Sequence, residues 1–335
     1  MTKFNPAKGL GNTHLQSILS STGPRVLFEK RRALPMLNQS QQHIITTPQG
    51  VKLLGYLSRK GESANGLAIL LHGWEGSADS LYVLSSGQKL FENGYDVFRL
   101  NLRDHGDSHH LNKDLFHSAR LQEVVEAVRS ICERFGGKHN LLCGYSLGGN
   151  FCLRVANLAK VQNIALHQAV AVCPVLNPLT TMQELNNGFP VYEKYFVAAW
   201  KKSLSKKLAH FPDYGYGAAL QKLRSLDEMN HFFVTNYTDF NSCEEYYEAY
   251  SLIGDNMNQL AIPTTIIMSK DDPMIPSSQL SRLHASRWLT IELQELGGHC
   301  AFIKNWKLES WVSDRIAELA DSYTKHRVSK LLTNP

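Results

Sequence analysis

HNLLCGYSLGGN, residues 139–150, decides how this chain is read. Its apolar run from Asn140 to Cys143 predicts a buried strand, and a helix is expected from about 147 to 160. Between them, Gly144-Tyr145-Ser146-Leu147-Gly148 sets one serine two residues from a glycine on either side. That spacing suits a sharp strand-to-helix turn, because side chains at 144 or 148 would clash with the strained backbone around the serine. The turn lifts the hydroxyl above the sheet, and the following helix points its positive end at the same place. The pattern alone should arise by chance about once in ten chains of this length. Its weight therefore comes from its setting between a strand and a helix.

Outward from this stretch, strands and helices alternate. HIITTP and VKLLGYLS, separated by Gln49-Gly50, read as a hairpin. GLAILLHG is a buried strand, and residues 78–93 have helical spacing that stops at Asn93-Gly94. YDVFRLNL is a strand, 118–135 an amphipathic helix, and HQAVAVCP the strand after the serine's helix. The rhythm breaks at 178 and resumes near 259 with IPTTIIMS, a helix from about 277, WLTIELQEL and a last helix through SWVSDRIAELADSY. The expected fold class is α/β: a mostly parallel central sheet of about eight strands flanked by helices. Its core spans 41–177 and 259–335, and 178–258 is a helical cap insertion, since a connection that long is rarely a plain loop.

A serine hydroxyl is a weak nucleophile and needs a base. His299, in LGGHCAF after the last strand, returns to the same edge of the sheet and is the expected base. SKDDPMIP follows the strand before it and offers two acids. Asp272 is chosen over Asp271 as the orienting acid because its spacing to Pro276 fits the usual turn; adjacent side chains point apart, so only one reaches the imidazole. Oxyanion donors are expected from the backbone N–H of Leu147 and, in HGWEGS, of Trp74, with His72 bracing that loop. RDHGDSHH (103–110) resembles a metal site in composition but is read as a loop shaping the site wall; His109 and His110 have no assigned role. In the insertion, Tyr192, Tyr195, Phe196, Trp200, Leu204 and Leu208 share one helical face, with lysines 194, 201, 202, 206 and 207 mostly elsewhere. The plain reading is a helix packed on the core with solvated lysines. The sharper one is a face that makes transient contact with a membrane surface or anionic headgroups.

Composition narrows the class. The 335 residues are 43% hydrophobic and 19% charged, enough for a large core. A charge of +5, from 35 basic and 30 acidic residues, gives no argument for nucleic acid. MTKFNPAKGLGN lacks the apolar core of a secretory signal, and no run reaches the roughly 18 apolar residues of a membrane span. A cytoplasmic location is expected. Of six cysteines, none forms a CxxC, so reduced, mostly buried thiols are expected and no metal site.

NPAKGLGNTHLQSIL, HGWEGS, RDHGDS, GYSLGGN, SLDEMN with EEYYEAYS, SKDDPMIP and GGHCAF together resemble the YheT-like branch of the α/β-hydrolases, related to mammalian ABHD-type hydrolases. The resemblance runs almost end to end and makes residues 1–40 an N-terminal family segment packing on the core. It implies a serine esterase cleaving a medium acyl ester or acyl lipid, without a cofactor, with Ser146, Asp272 and His299 as catalytic triad. Trp74 and Cys300 depart from the family's commoner residues at positions lining the site. Acyl transfer or thioester cleavage on the same triad is the related alternative. A non-catalytic binding protein is the other class, which predicts loss of a triad member.

Overall fold

The computed structural model describes residues 3–61 and 63–333; residues 1, 2, 62, 334 and 335 of the ranges above lie outside it. Helices α1 (Thr13–Leu19), α2 (Arg25–Arg32) and α3 (Leu34–Leu37) precede the sheet. Strands β1 (Ser40–Thr46) and β2 (Lys52–Ser58) form the expected hairpin, with Ser40 opposite Ser58. The alternation follows as β3 (Gly66–Leu71), α4 (Leu81–Glu92), β4 (Tyr95–Leu100), α5 (Leu121–Phe135), β5 (Asn140–Tyr145), α6 (Leu147–Leu158) and β6 (Gln168–Val172). Helices α7 (Pro178–Asn187), α8 (Pro190–His210), α9 (Gly217–Lys222), α10 (Leu226–Tyr237) and α11 (Cys243–Glu248) then intervene. The chain closes with β7 (Thr264–Ser269), β8 (Leu289–Gln294) and α12 (Trp311–Thr333).

The strands join in one eight-stranded sheet, ordered β1-β2-β4-β3-β5-β6-β7-β8 and parallel from β4 onward. Leu67, Ile69 and Leu71 of β3 join one core cluster with α5 and α6 residues such as Val128 and Phe151. Ala68 and Leu70 join the other, with Leu84 of α4 and Ile316 of α12. Both faces of β3 are therefore covered, which is why a two-residue side-chain period appears in sequence as an unbroken apolar run. From β3 the chain crosses to β4 on one side and then back to β5 on the other. Loops leaving β3 and β5 diverge there, opening a crevice at the carboxyl ends of the strands.

Two expectations need correction. The helix expected from about 277 is a short 3-10 stretch, Ser277–Arg282. Leu280 is its one buried side chain, so no apolar stripe holds a longer helix on the sheet. Lys207, expected among the solvated lysines of α8, is 1% exposed. Its Nζ donates to Asp104 Oδ1 at 2.7 Å and to the carbonyls of His109, Asn112 and Asp114. Asp104 also accepts from Phe116 N–H, so the loop after β4 is tied to α8 by a buried, fully engaged ion pair. Lys201, Lys202 and Lys206 stay at least partly exposed.

Replacing Lys207 with Met leaves the Asp104 carboxylate buried without its cation. The expected loss is about 3–5 kcal/mol in urea unfolding, partly recovered by adding Asp104→Asn.

Candidate active site

Strand β5 delivers Ser146 into a backbone conformation of φ +53° and ψ −118°, which non-glycine residues rarely adopt. It is held because the residues two places away on either side, Gly144 and Gly148, have no side chains. A Cβ at Gly144 would lie 2.0 Å from Gly148 O, and one at Gly148 would lie 2.3 Å from His72 O. Ser146 N–H donates to Val172 O at 2.9 Å, locking the turn onto β6.

Next to it runs the loop after β3. A Cβ at Gly73 would come within 3.1 Å of Ser146 Cβ, which measures how closely the two backbones approach. His72 is fully buried; its Nδ1–H donates to Gly73 O at 2.7 Å and its Nε2 accepts from Leu102 N–H at 3.0 Å. Burial, and then the adjacent His105, keep its pKa well below the ordinary histidine value, so this neutral tautomer persists. His105, pushed down to about 4 by burial, is also neutral and accepts from Glu75 N–H. These contacts carry out the bracing expected of His72 and draw RDHGDSHH into the loop framework. Among the described residues, the N–H groups of Leu147 and Trp74 have no protein acceptor. The Trp74 ring stacks on Phe196 of α8 at 5.1 Å and meets Trp200 edge-on, joining this loop to the insertion.

His299 sits in the loop after β8, with Nδ1 2.8 Å from Asp272 Oδ2. The other Asp272 oxygen accepts from the N–H groups of Met274 and Ile275, which fixes the carboxylate's orientation. Asp271 turns away, accepting from Thr13 Oγ1 and from Gly298 N–H. The structure thus pairs His299 with Asp272 rather than Asp271. It also brings Ser146 and His299 to the lining of one cavity, together with Trp74 and Leu147. Burial opposes charge on His299, but the Asp272 carboxylate, and then Cys300, outweigh it and hold the imidazole well above its ordinary pKa.

Sequence reading missed three groups. The first is α1: Ser17 Oγ accepts from His299 N–H at 2.9 Å, and Gln16 donates to Leu10 O and Ile303 O while accepting from Ile303 N–H. Thr13, Gln16 and Ser17 therefore clamp the histidine loop, and polar residues clustered in one short helical stretch were the available signal. The second is Glu75, in the loop after β3. Burial, then the Asp104 carboxylate, push it up to about 8 against a hydrogen bond with Ser203, so it enters the cavity wall protonated at neutral pH. The third is a convergence of soft donors, Cys173, His299 and Cys300, with atoms within 4.8 Å of one another. Its imidazole is already bonded to Asp272, so it reads as thiols beside a histidine rather than a metal cage. Most of the remaining cavity wall is apolar, including Phe116, Met182, Phe196, Trp200 and Phe233, with Asp104, His105, Lys207 and Asn230 among its polar members.

A family model described as alpha/beta hydrolase fold matches residues 68–305. The Escherichia coli (strain K12) protein YheT, named as a candidate esterase, is 25% identical over 336 residues, covering 96% of this chain and 94% of that protein. A Saccharomyces cerevisiae protein named medium-chain fatty acid ethyl ester synthase/esterase 2 is 22% identical over 288 residues, covering 75% of this chain and 61% of its own length. Among solved structures, the Pyrococcus furiosus esterase Pf2001 superposes with a TM-score of 0.57 at 16% identity, over 97% of this chain and 99% of that one.

Truncating Gln16 to Ala strands three buried backbone partners. A loss of about 2–3 kcal/mol in urea unfolding is expected, with faster amide exchange at Ile303.

Proposed function

Because the chain belongs to the alpha/beta hydrolase fold family, in its YheT-like branch, we propose that it is a carboxylic-ester hydrolase working through an acyl-enzyme on Ser146, His299 and Asp272. The observation that carries this reading is that His299, oriented by the buried Asp272, lines the same cavity as the strained Ser146. His299 Nδ1–H donates to Asp272, which leaves Nε2 to take the Ser146 proton as the hydroxyl attacks the ester carbonyl. The N–H groups of Leu147 and Trp74 receive the negative oxygen of the tetrahedral intermediate, each worth about 3–4 kcal/mol in the transition state. The imidazolium then protonates the leaving alcohol, and water repeats the sequence on the acyl-enzyme.

A cavity walled by Phe116, Met182, Trp200 and Phe233 favours an apolar acyl chain. This agrees with the medium-chain esters named for the yeast relative. That name pairs synthesis with hydrolysis, and the same acyl-enzyme would serve acyl transfer if an alcohol rather than water reached it. Around the start of α8, Phe189, Val191 and Tyr195 are exposed beside Lys194, near the mouth of the open cavity, so transient contact with a membrane surface belongs to this reading. No helix among the described residues is long and apolar enough to cross a membrane.

Purified protein treated with a fluorophosphonate should gain one adduct by intact mass, and Ser146→Ala should gain none; an unlabelled, folded wild type would refute the assignment. Turnover of a medium-chain p-nitrophenyl ester should fall about 10⁶-fold in Ser146→Ala or His299→Ala and about 10⁴-fold in Asp272→Asn. Asp271→Asn should keep most of its turnover, and the reverse pattern would reassign the acid. The raised pKa of His299 sets the pH profile: the imidazolium persists above the usual histidine range, so kcat/KM should climb with pH on the alkaline side of 6.5. Asp272→Asn removes the charge that holds the proton, so its residual activity should begin at lower pH.

A further inference from the structure

Cys173 follows directly on β6 and Cys300 follows His299, so two separate loops bring two thiols together beside the imidazole. Cys173 Sγ lies 3.9 Å from Gly298 O, and Cys300 Sγ lies 3.8 Å from Val172 O, so each thiol faces the backbone beside the other cysteine. Both residues hold positive φ, 43° and 64°, so the loops are set rather than slack. The proposed ester chemistry uses neither sulfur.

The two thiols differ in access and in charge. Both are buried, but Cys300, 2% exposed, borders the open cavity shared with Ser146 and His299, whereas Cys173 lines no part of it. Burial alone would raise the Cys300 pKa, but a hydrogen bond from Cys173 and the charge of His299 draw it down to about 6. Cys173 is held far above the ordinary thiol value by burial and by Cys300. A thiolate at the cavity wall beside a protonated partner behind it is the arrangement of an attacking and a resolving cysteine. Cys132, Cys143 and Cys152 are buried thiols whose pKa values burial raises.

We propose that Cys300 is a hydroperoxide-sensitive modification site, with Cys173 as its resolving partner, and that the Cys173–Cys300 disulfide switches the Ser146 site off. The loss of activity rests on the hydrolase reading; the cross-link does not. In the first step the Cys300 thiolate attacks a peroxide oxygen, the O–O bond breaks, and hydroxide leaves as sulfur gives up two electrons to become a sulfenic acid. In the second the Cys173 thiol attacks that sulfur, and its proton departs with the hydroxyl as water. In sum, two thiols and hydrogen peroxide give one disulfide and two waters. Closing the bond brings the sulfurs to about 2 Å. Cys300 is the residue after His299, so the imidazole is pulled away from its working position.

The test uses the whole reduced protein and graded hydrogen peroxide. Samples are split between ester turnover, fluorophosphonate labelling and a non-reducing peptide map, before and after dithiothreitol. A Cys173–Cys300 linked peptide should appear at the rate at which turnover and labelling disappear, and dithiothreitol should reverse all three. Cys173→Ala should begin with ordinary turnover, but its Cys300 should run on to sulfinic acid, with a loss that dithiothreitol does not restore. The wild-type arm stands if that variant fails to fold. Peroxide exposure without the linked peptide, or a linked protein with full turnover, overturns the proposal. Reduced protein that never labels at Ser146 sinks the hydrolase reading instead, while the peptide map still decides the cross-link.

Discussion

Backbone crowding around Ser146 is the constraint on which the site depends. The serine's left-handed conformation would be costly in isolation, of order 1–3 kcal/mol. It persists because β5 is buried on both faces, because Ser146 N–H is bonded to Val172 O, and because glycines at 144 and 148 let β3, β5 and α6 touch backbone to backbone. Whatever the serine does chemically, it does from a rigid sheet edge rather than a mobile loop. The same crowding brings the loop after β3 against the serine, and with it the amides of Trp74 and Leu147.

The histidine loop has no such sheet to stiffen it. It is held instead by side chains from distant parts of the chain: Ser17 on the His299 amide, Gln16 on both sides of Ile303, and Asp271 between Thr13 and Gly298. The two adjacent acids divide the work, one facing the imidazole and one fastening the N-terminal helix to the loop that carries it. This gives the segment before the sheet a physical task, since a histidine whose backbone drifts cannot keep one nitrogen on Asp272 and the other toward the serine.

The insertion is coupled to the same framework by two contacts of opposite character. Trp74 stacks on Phe196, while Lys207 reaches through the loop after β4 to Asp104. One contact is apolar and belongs to the cavity wall; the other is a buried ion pair that tolerates little displacement. Together they set the distance between α8 and the sheet edge, and so the width of the space in which an acyl chain would lie. Glu75 and Ser203 sit between them, so burial sets a carboxyl of raised pKa into a wall that is mostly apolar.

The residues that carry the reading were legible in the chain itself because their signals are local. A glycine two places either side of Ser146, strand-length apolar runs and helical spacing depend only on neighbouring residues, and they were enough to expect the α/β sheet and to single out Ser146, His299 and, by its spacing to Pro276, Asp272. Three matters depended on the tertiary structure. What holds the Asp272 carboxylate toward His299 is the pair of Met274 and Ile275 amides, which spacing to a proline does not reveal. Lys207 looks like any exposed helical lysine until the loop after β4 is laid across α8. Cys173 and Cys300, 127 positions apart in the numbering, become neighbours only when β6 and the loop after β8 meet at one edge of the sheet. Local sequence determines backbone shape, but contacts between segments far apart in the chain arise only once the core has packed them together.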